Sequence, residues 1–298
     1  MKKFLNSPKV VPYIMVLPFI LMFFIIFLYP AISAVIMSFQ KVNALNLSSA
    51  QWVGLQNYTK LFSDKHFLTA ISNNLIYTVI AVVTNIFISM LLAYMLNSKM
   101  LKSRNVFKSI LFLPALTSTV VAGIVFRLAL TTQETGVMNQ VIGLFGLEPF
   151  GWLTTRTGSF ISLAILNIWL NVGTNIIYYL SGLQGIPVEI YESADIDGAN
   201  AATKFFKITL PYLKPITVYV ATMSVLAGLS MFTESYTLWS GKFAGDTGLT
   251  IVAYLYQTGF RQNDFGYASA VGIVLMILVL AVNLVQMTLN GSFKKEED

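Results

Sequence analysis

Residues 187–211 form the only long polar passage in the middle of a chain that is otherwise apolar. This passage brings carboxylates, small residues and aromatic rings together, which suits specific binding between surfaces. The sequence offers no obvious catalytic residues. The sequence contains no H-E-x-x-H, no paired-carboxylate motif and no Ser/His pair inside or near its apolar segments. We therefore do not expect an enzyme.

Helix start and stop signals predict two short helices in this passage. Pro187 suits a first helical position, because its ring presets φ and its missing N–H is not needed there. Gly198 can end that helix in the left-handed conformation. Asn200 can then cap a second helix, which Pro211 ends. The prediction is a helix–turn–helix hairpin that bends sharply at residues 197–198.

The second predicted helix of this hairpin has a wide apolar side. Ala201, Phe205 and Ile208 share one stripe, and Ala202 and Phe206 belong to its neighbour. Periodicity alone leaves two explanations open. The hairpin could lie on the membrane surface or under the helix bundle, or its apolar side could be a docking surface for another protein.

Composition places the chain among polytopic membrane proteins. Hydrophobic residues make up 56% and charged residues only 11% of the sequence, and no soluble core explains that balance. Cysteine is absent, which excludes disulfides and Cys-based metal sites. The single histidine, His66, cannot form a histidine metal cluster, so no metal site is expected.

Charge-free windows predict an all-α protein with six transmembrane helices. The first window is much longer than the roughly 7–15 apolar residues of a signal peptide, so we expect an uncleaved first span. A loop follows it at residues 41–64, and Pro114 predicts a kink in the third span. The six spans are expected at about 11–39, 72–97, 107–130, 158–182, 213–238 and 267–291.

The distribution of basic residues predicts the orientation of these spans. With the N-terminus in the cytoplasm, the inner segments hold twelve of the nineteen Lys and Arg residues, and the outer segments hold seven. This excess agrees with the positive-inside rule. Both termini and the polar hairpin are then cytoplasmic. We interpret Arg127, near the outer end of the third span, as a side chain that snorkels to the interface.

The hairpin resembles a known sequence motif. Seven of its positions stand at the spacing of the "EAA" motif, E-A-A-x-x-x-G-x(9)-I-x-L-P, of the membrane subunits of bacterial ABC importers, and six of them carry the motif's residue. Residues 197–199 look like the carbohydrate-uptake branch. Ser193 replaces the first Ala of the triplet. The seven positions are Glu192, Ser193, Ala194, Gly198, Ile208, Leu210 and Pro211.

This resemblance implies that the hairpin is a coupling helix seated in a cleft of a separate ATPase subunit. Glu192 would lie near the interface, while Ala194, Gly198 and Ala199 would permit close approach. The residues expected to couple to the ATPase are Glu192, Ser193, Ala194, Asp197, Gly198, Ala199, Phe205, Ile208 and Pro211.

The resemblance covers the chain from about Trp52 onwards and is closest to the first of the two paired permease types. Phe232 and Tyr236 match the family pattern F-D-x-x-Y-x-L-T, but Thr233 and Trp239 depart from it. The implied fold is that of a type I ABC importer permease, in which spans two to six form the core. The first span would wrap the partner permease.

The implied function is that of the transmembrane subunit of an ATP-driven sugar importer in the bacterial cytoplasmic (inner) membrane. The partners would be a second permease, an ATPase dimer that carries ATP and Mg, and an extracellular or periplasmic sugar-binding protein. This chain itself would bind no cofactor and no nucleic acid, and it has no G-x-x-x-x-G-K-[ST] phosphate loop. The alternative is an ion-coupled secondary transporter, although the middles of the spans contain no ionisable residue.

Polar residues within the spans are the candidates for contact with the sugar. Asn167, Asn171 and Asn175 are spaced four apart and share one helix face. Hydrogen bonding between helices is the favoured explanation for them, ahead of substrate contact. For Glu234, a helix-end group at the aqueous boundary is the commoner explanation. Hydroxyl-rich ligands favour amides, carboxylates and aromatic faces, so the substrate-path candidates are Asn171, Asn175, Glu234 and Tyr236.

Overall fold

A computed structural model describes residues 11–98, 103–133 and 136–289 of the chain. The first elements are the long helix α1, Val11–Ser38, and an antiparallel hairpin of β1, Gln40–Asn43, with β2, Asn46–Trp52. The helices that follow in the first half are α2, Gln56–Ser63; α3, Lys65–Asn97; α4, Arg104–Leu116; α5, Thr119–Ala129; and α6, Val137–Gly143.

The second half of the chain contains the polar hairpin and the remaining long helices. Its elements are α7, Arg156–Gln184; α8, Val188–Ile196; α9, Ala201–Tyr212; α10, Lys214–Leu229; α11, Thr233–Trp239; α12, Ile251–Tyr256; and α13, Phe265–Leu289. A widened turn, Gln257–Arg261, extends α12.

Four of the described helices, α1, α3, α7 and α13, are long and apolar enough to cross a membrane. The number rises to six if each of two bent helix pairs counts as a single span. These pairs are α4 with α5, which meet at 97°, and α9 with α10, which meet at 63°. The expected end of the last span, residues 290–291, and both chain termini lie outside the described residues.

The chain divides into two compact units. The first comprises residues 11–64 and 255–277 among those described. Within it, Asn57 joins α2 to the end of α1, because its side-chain amide donates to the carbonyl oxygens of Ser38 and Gln40, both at 2.9 Å. The expected loop at residues 41–64 is thus a β-hairpin followed by α2; apart from this short hairpin, the regular elements of the described chain are helices, as expected. Strand pairing satisfies backbone groups that a loop would leave to water.

The second unit comprises residues 65–254 and 278–289 among those described. Its long helices α3 and α7 pack together, and α10 packs against α3. Close approach depends on glycine at two places: a Cβ on Gly173 of α7 would lie 2.3 Å from the carbonyl oxygen of Leu111, and one on Gly228 of α10 would lie 3.0 Å from the Cα of Thr78. Small residues at such contacts let helix backbones approach.

Two helix breaks differ from the sequence prediction of continuous spans. The third expected span is interrupted between α4 and α5, because α4 ends in a 3₁₀ turn that contains Pro114, and Thr117 and Ser118 are extended. Proline cannot donate the hydrogen bond that would continue the helix. The fifth expected span ends at Leu229, and α11 follows as a separate helix after Phe232.

Candidate functional site

The polar passage folds as two helical arms joined by a tight turn. Helix α8 starts at Val188, so Pro187 is the residue before the first helical position rather than the first position itself. Gly198 ends the arm with a φ of 75°, as its type predicts. Asn200 caps α9, its side-chain oxygen accepting from the backbone N–H of Thr203 at 2.8 Å. Helix–turn–helix geometry therefore follows from local signals.

The second arm runs past the proline that was expected to end it. Helix α9 contains a widened turn at residues 205–209, in which the N–H of Leu210 donates to the carbonyl oxygen of Phe205. Helical structure then continues through Pro211 to Tyr212, and the 63° bend follows. Because the widened turn already interrupts the regular α-helical pattern, the missing N–H of Pro211 removes little more.

Two polar contacts connect the arms of the hairpin. The hydroxyls of Tyr191 on α8 and Thr209 on α9 are 2.8 Å apart, a distance that makes a hydrogen bond. Nearer the tip, the Lys204 ammonium lies 2.5 Å from a carboxylate oxygen of Asp195. The arms are therefore held together both at the base and near the turn, so they can move as one body.

The apolar residues of α9 divide between an inner and an outer side. Phe205 and Ile208 pack against the buried cluster formed by α3, α7 and the start of α10, and the Phe205 ring meets the edge of Tyr94 on α3 at 5.1 Å between centroids. Phe206, in contrast, is 64% exposed, and Ile196 at the end of α8 is 87% exposed. One stripe anchors the hairpin to the helix core, and the other remains uncovered in this chain.

The residues expected to couple to an ATPase divide in the same way. Phe205 and Ile208 face the core of this chain, whereas Ala194 and Ala199 are half-buried. The rest are exposed along α8, at the turn and near the end of α9: Glu192, Ser193, Asp197, Gly198 and Pro211.

The three asparagines of α7 differ in their surroundings. The Asn171 amide donates to the carbonyl oxygen of Asn167, on its own helix, at 3.0 Å. Asn175 is half-buried one turn further on. The side-chain oxygen of Asn167 is buried and has no hydrogen-bond partner of good geometry among the described residues.

A buried tyrosine lies close to two of the polar residues that were expected within the spans, Asn167 and Glu234. Tyr77 on α3 lies beside Asn167 and near Glu234 on α11. Sequence reasoning missed Tyr77, because a tyrosine on an apolar helix has no local signal that separates it from ordinary core. Helix packing makes these three residues neighbours within the second unit.

Tyr236, two residues after Glu234, lines a different feature, a cavity of about 500 Å³ between α5 and α11. Arg127 lines the same cavity and donates a hydrogen bond to the Ser240 hydroxyl. The expectation that Arg127 snorkels to the membrane interface stays a prediction. No cluster of three or more metal-ligating side chains occurs within residues 11–98, 103–133 and 136–289.

A family model and individual relatives both identify this chain as similar to membrane components of transport systems. Residues 85–295 match the family described as binding-protein-dependent transport system inner membrane component. The chain is 50% identical over 291 residues to the arabinooligosaccharides transport system permease protein AraP of Bacillus subtilis, covering 97% of this chain and 91% of that protein. The lactose transport system permease protein LacF of Rhizobium radiobacter is 31% identical over 279 residues, with 92% of each chain covered.

A solved structure shares the architecture. A chain of a bacterial ABC transporter involved in the import of the acidic polysaccharide alginate superposes with a TM-score of 0.78 at 25% identity, and 96% of each chain is covered. The structural likeness and the family match agree along most of the sequence. The chain belongs to the family of binding-protein-dependent transport system inner membrane components, the permease subunits of ABC transporters.

Proposed function

We propose that this chain is one permease half of an ATP-driven sugar importer. In this proposal each bent helix pair crosses the membrane as one span, which gives six spans with both termini and the α8–α9 hairpin in the cytoplasm. The twelve basic residues of the inner segments, against seven in the outer segments, support this orientation. The membrane is the bacterial cytoplasmic (inner) membrane.

The construction of the α8–α9 hairpin carries the proposal. Its base is fixed to the helix core through Phe205 and Ile208, while its tip and outer stripe present uncovered apolar surface beside a tight turn. Exposed apolar side chains rimmed by polar groups are typical of protein interaction sites. A rigid projection of this kind suits a cleft on an ATPase subunit, which binds ATP and Mg in place of this chain.

The contacts of the hairpin also suggest how movement passes to the spans. Because Tyr191–Thr209 and Lys204–Asp195 hold the arms together, a displacement of the tip moves the base as well. The base meets α3 through Phe205 and Tyr94. Closure of an ATPase dimer would then shift α3 and α7 together, so that the permease alternates between inward- and outward-facing states.

The names of the relatives support a carbohydrate as cargo. AraP is named for arabinooligosaccharides and LacF for lactose. We therefore propose that an extracellular or periplasmic sugar-binding protein delivers the sugar, and that a second permease completes the path. Within this chain the proposed contacts are Asn171, Asn175, Glu234 and Tyr236.

Co-purification from the native membrane tests the assembly. A tag on this chain should recover a second permease, an ATPase and a sugar-binding protein, and the complex in vesicles should take up arabino-oligosaccharides only with ATP. Recovery of the chain alone, still transporting sugar along an ion gradient without ATP, would contradict the proposal and support a secondary transporter.

A further inference from the structure

Helix α6 and the turn after it carry large apolar side chains on their outer side and a polar side chain on their inner side. A helix that faces water has the opposite arrangement, with its apolar residues towards the core. Leu144 is 84% and Phe145 is 78% exposed, whereas Asn139 is buried. We call residues 137–147 the apolar wedge. Its large exposed apolar residues are Val137, Val141, Leu144, Phe145 and Leu147.

Asn139 holds the apolar wedge in this orientation. Its side-chain oxygen accepts from the indole N–H of Trp152 at 2.8 Å and from the backbone N–H of Phe150 at 3.0 Å. Its amide donates to the carbonyl oxygen of Thr132 at 2.9 Å. Turning the apolar side inwards would break these bonds and leave buried polar groups unpaired. The outward apolar side is therefore a fixed feature of the fold.

The backbone at the tip of the apolar wedge makes its own hydrogen bonds. The N–H groups of residues 144–147 all donate to carbonyl oxygens within the wedge. Gly146, with a φ of 74°, ends the helix, and the N–H of Leu147 donates back to the carbonyl oxygen of Ile142 at 3.3 Å. Hydrocarbon offers no acceptor to an unpaired backbone donor. The tip has no such donor among these residues, so a lipid layer can accommodate it.

The apolar wedge lies between two apolar helices. It connects α5, which belongs to a bent apolar pair, with α7, which is long and apolar enough to cross a membrane. Ile161, near the start of α7, is exposed and lines a cavity of about 400 Å³ together with Ile142 and Leu147 of the wedge. The exposed apolar surface thus continues from the wedge onto a helix of membrane-spanning length.

The chemistry of the apolar wedge favours lipid over a protein as its partner. Residues 136–147 contain no charge, whereas protein interfaces surround their apolar centres with a polar rim. A soluble sugar-binding protein that docks and leaves would expose the wedge to water in every cycle. An eleven-residue projection is also small for a permanent subunit interface, which buries more than about 1,000 Å². Lipid covers such a surface at all times.

We propose that the apolar wedge is an interfacial membrane anchor, whose exposed side chains lie among the upper acyl chains of the bilayer while Glu148 lies at headgroup level. Interfacial helices bury their apolar side roughly 5–10 Å deep. The anchor would hold the end of α5, which packs against α11, at a constant depth. Only the assignment to the outer leaflet rests on the proposed orientation of the spans.

The absence of cysteine allows a single fluorescent probe to report what touches the apolar wedge. Phe145→Cys is labelled with bimane in the assembled importer in vesicles. Lipids with bromine atoms on their acyl chains quench a probe on contact, and iodide quenches a probe that water reaches. We expect strong quenching by brominated lipid and little by iodide. Bromine near the headgroup end of the chain should quench more than bromine near its methyl end.

Glu148→Cys is the matched control, because it is exposed and directly follows the apolar wedge. Its probe should be quenched more by iodide than by brominated lipid. If the probe at Phe145→Cys responds in the same way, the wedge lies in water and the proposal is wrong. If neither quencher reaches Phe145→Cys, a protein covers the wedge, which also overturns the proposal. Repeating the measurement without the sugar-binding protein then distinguishes that protein from the second permease.

Substitution tests whether the apolar side chains hold the wedge in lipid. Leu144→Ser together with Phe145→Ser should weaken the quenching of a probe at Val141→Cys by brominated lipid and strengthen its quenching by iodide. Gln140→Ser, at an exposed polar residue of the same helix, should change neither. Unchanged quenching in the double variant would contradict the anchor, and Phe145→Ser alone gives the same test if the double variant does not assemble. None of these measurements depends on ATP or sugar, so a failure of the proposed function would leave their result standing.

Discussion

The turn at the tip of the hairpin requires a left-handed backbone conformation at Gly198. Its φ of 75° favours glycine, yet a Cβ built there meets nothing within 4 Å, so this chain has room for any side chain at the turn. We expect Gly198→Ala and Gly198→Leu to destabilise the purified chain equally, by about 1–2 kcal/mol. In both variants the only cost is that of holding a residue with a Cβ in the left-handed backbone conformation. Thermal unfolding in detergent measures this.

Uptake should separate the two Gly198 variants if the turn docks closely against an ATPase. A leucine side chain would then collide with the partner, so Gly198→Leu should hydrolyse ATP with little sugar uptake, whereas Gly198→Ala should keep more of its uptake. Gly146 offers a matched control, since it has a φ of 74° and equally open space. Equal uptake by Gly198→Leu and Gly146→Leu would contradict docking at this turn.

Local sequence signals predicted some of these residues and could not predict others. The end of α8 at Gly198 and the cap at Asn200 were foreseeable, because each depends on one residue's own backbone preference or nearest neighbours. Tyr77 and Arg127 were not, since their roles arise from α7 and α11, which lie far away in the sequence. From the sequence alone, a lone tyrosine or arginine in an apolar helix looks the same whether it only packs at that position or contacts polar residues of distant helices.

At the scale of elements, α7 and α4 approach each other at Gly173. A methyl group there would lie 2.3 Å from the Leu111 carbonyl oxygen and 2.7 Å from the Phe112 Cα, which are backbone atoms that cannot rotate away. Overpacking of this kind typically costs about 1–3 kcal/mol, so Gly173→Ala should lower the unfolding temperature in detergent. Gly143→Ala, with no atom within 4 Å of the new methyl, is the control and should not lower it.

The arms of the hairpin lead to a prediction about coupling. Tyr191→Phe removes the hydroxyl that bonds Thr209 and should cost about 0.5–1.5 kcal/mol locally. A looser hairpin transmits less of the ATPase movement, so more ATP should be hydrolysed per sugar imported. Tyr212→Phe removes a half-exposed hydroxyl from the same hairpin and serves as the control. An unchanged ratio in both variants would show that the bond between the arms is not needed for coupling.

Bends between elements were the least predictable part of the fold. The sequence placed a kink at Pro114, but hydropathy did not indicate a 97° break, because residues 113–118 are as apolar as a continuous span requires. At Pro211 the prediction was wrong in the opposite direction. The sequence predicted that the helix ends there, but α9 continues to Tyr212, because the widened turn at residues 205–209 has already interrupted the regular hydrogen bonding. Apolar runs define the length of a membrane segment, whereas tertiary packing decides where it breaks.

For the whole molecule, orientation is the property that the sequence determines most directly, because loop charge acts while the spans insert. The cysteine-free chain allows a direct test with a maleimide that does not cross membranes. Ser63→Cys on α2 should be labelled in right-side-out vesicles, whereas Ala202→Cys on the hairpin should be labelled only after the membrane is opened. Both positions are exposed, so accessibility within the protein does not limit either reaction. Labelling of Ala202→Cys in sealed vesicles would place the hairpin outside, where no ATPase could reach it, and would contradict both the six-span orientation and the coupling role.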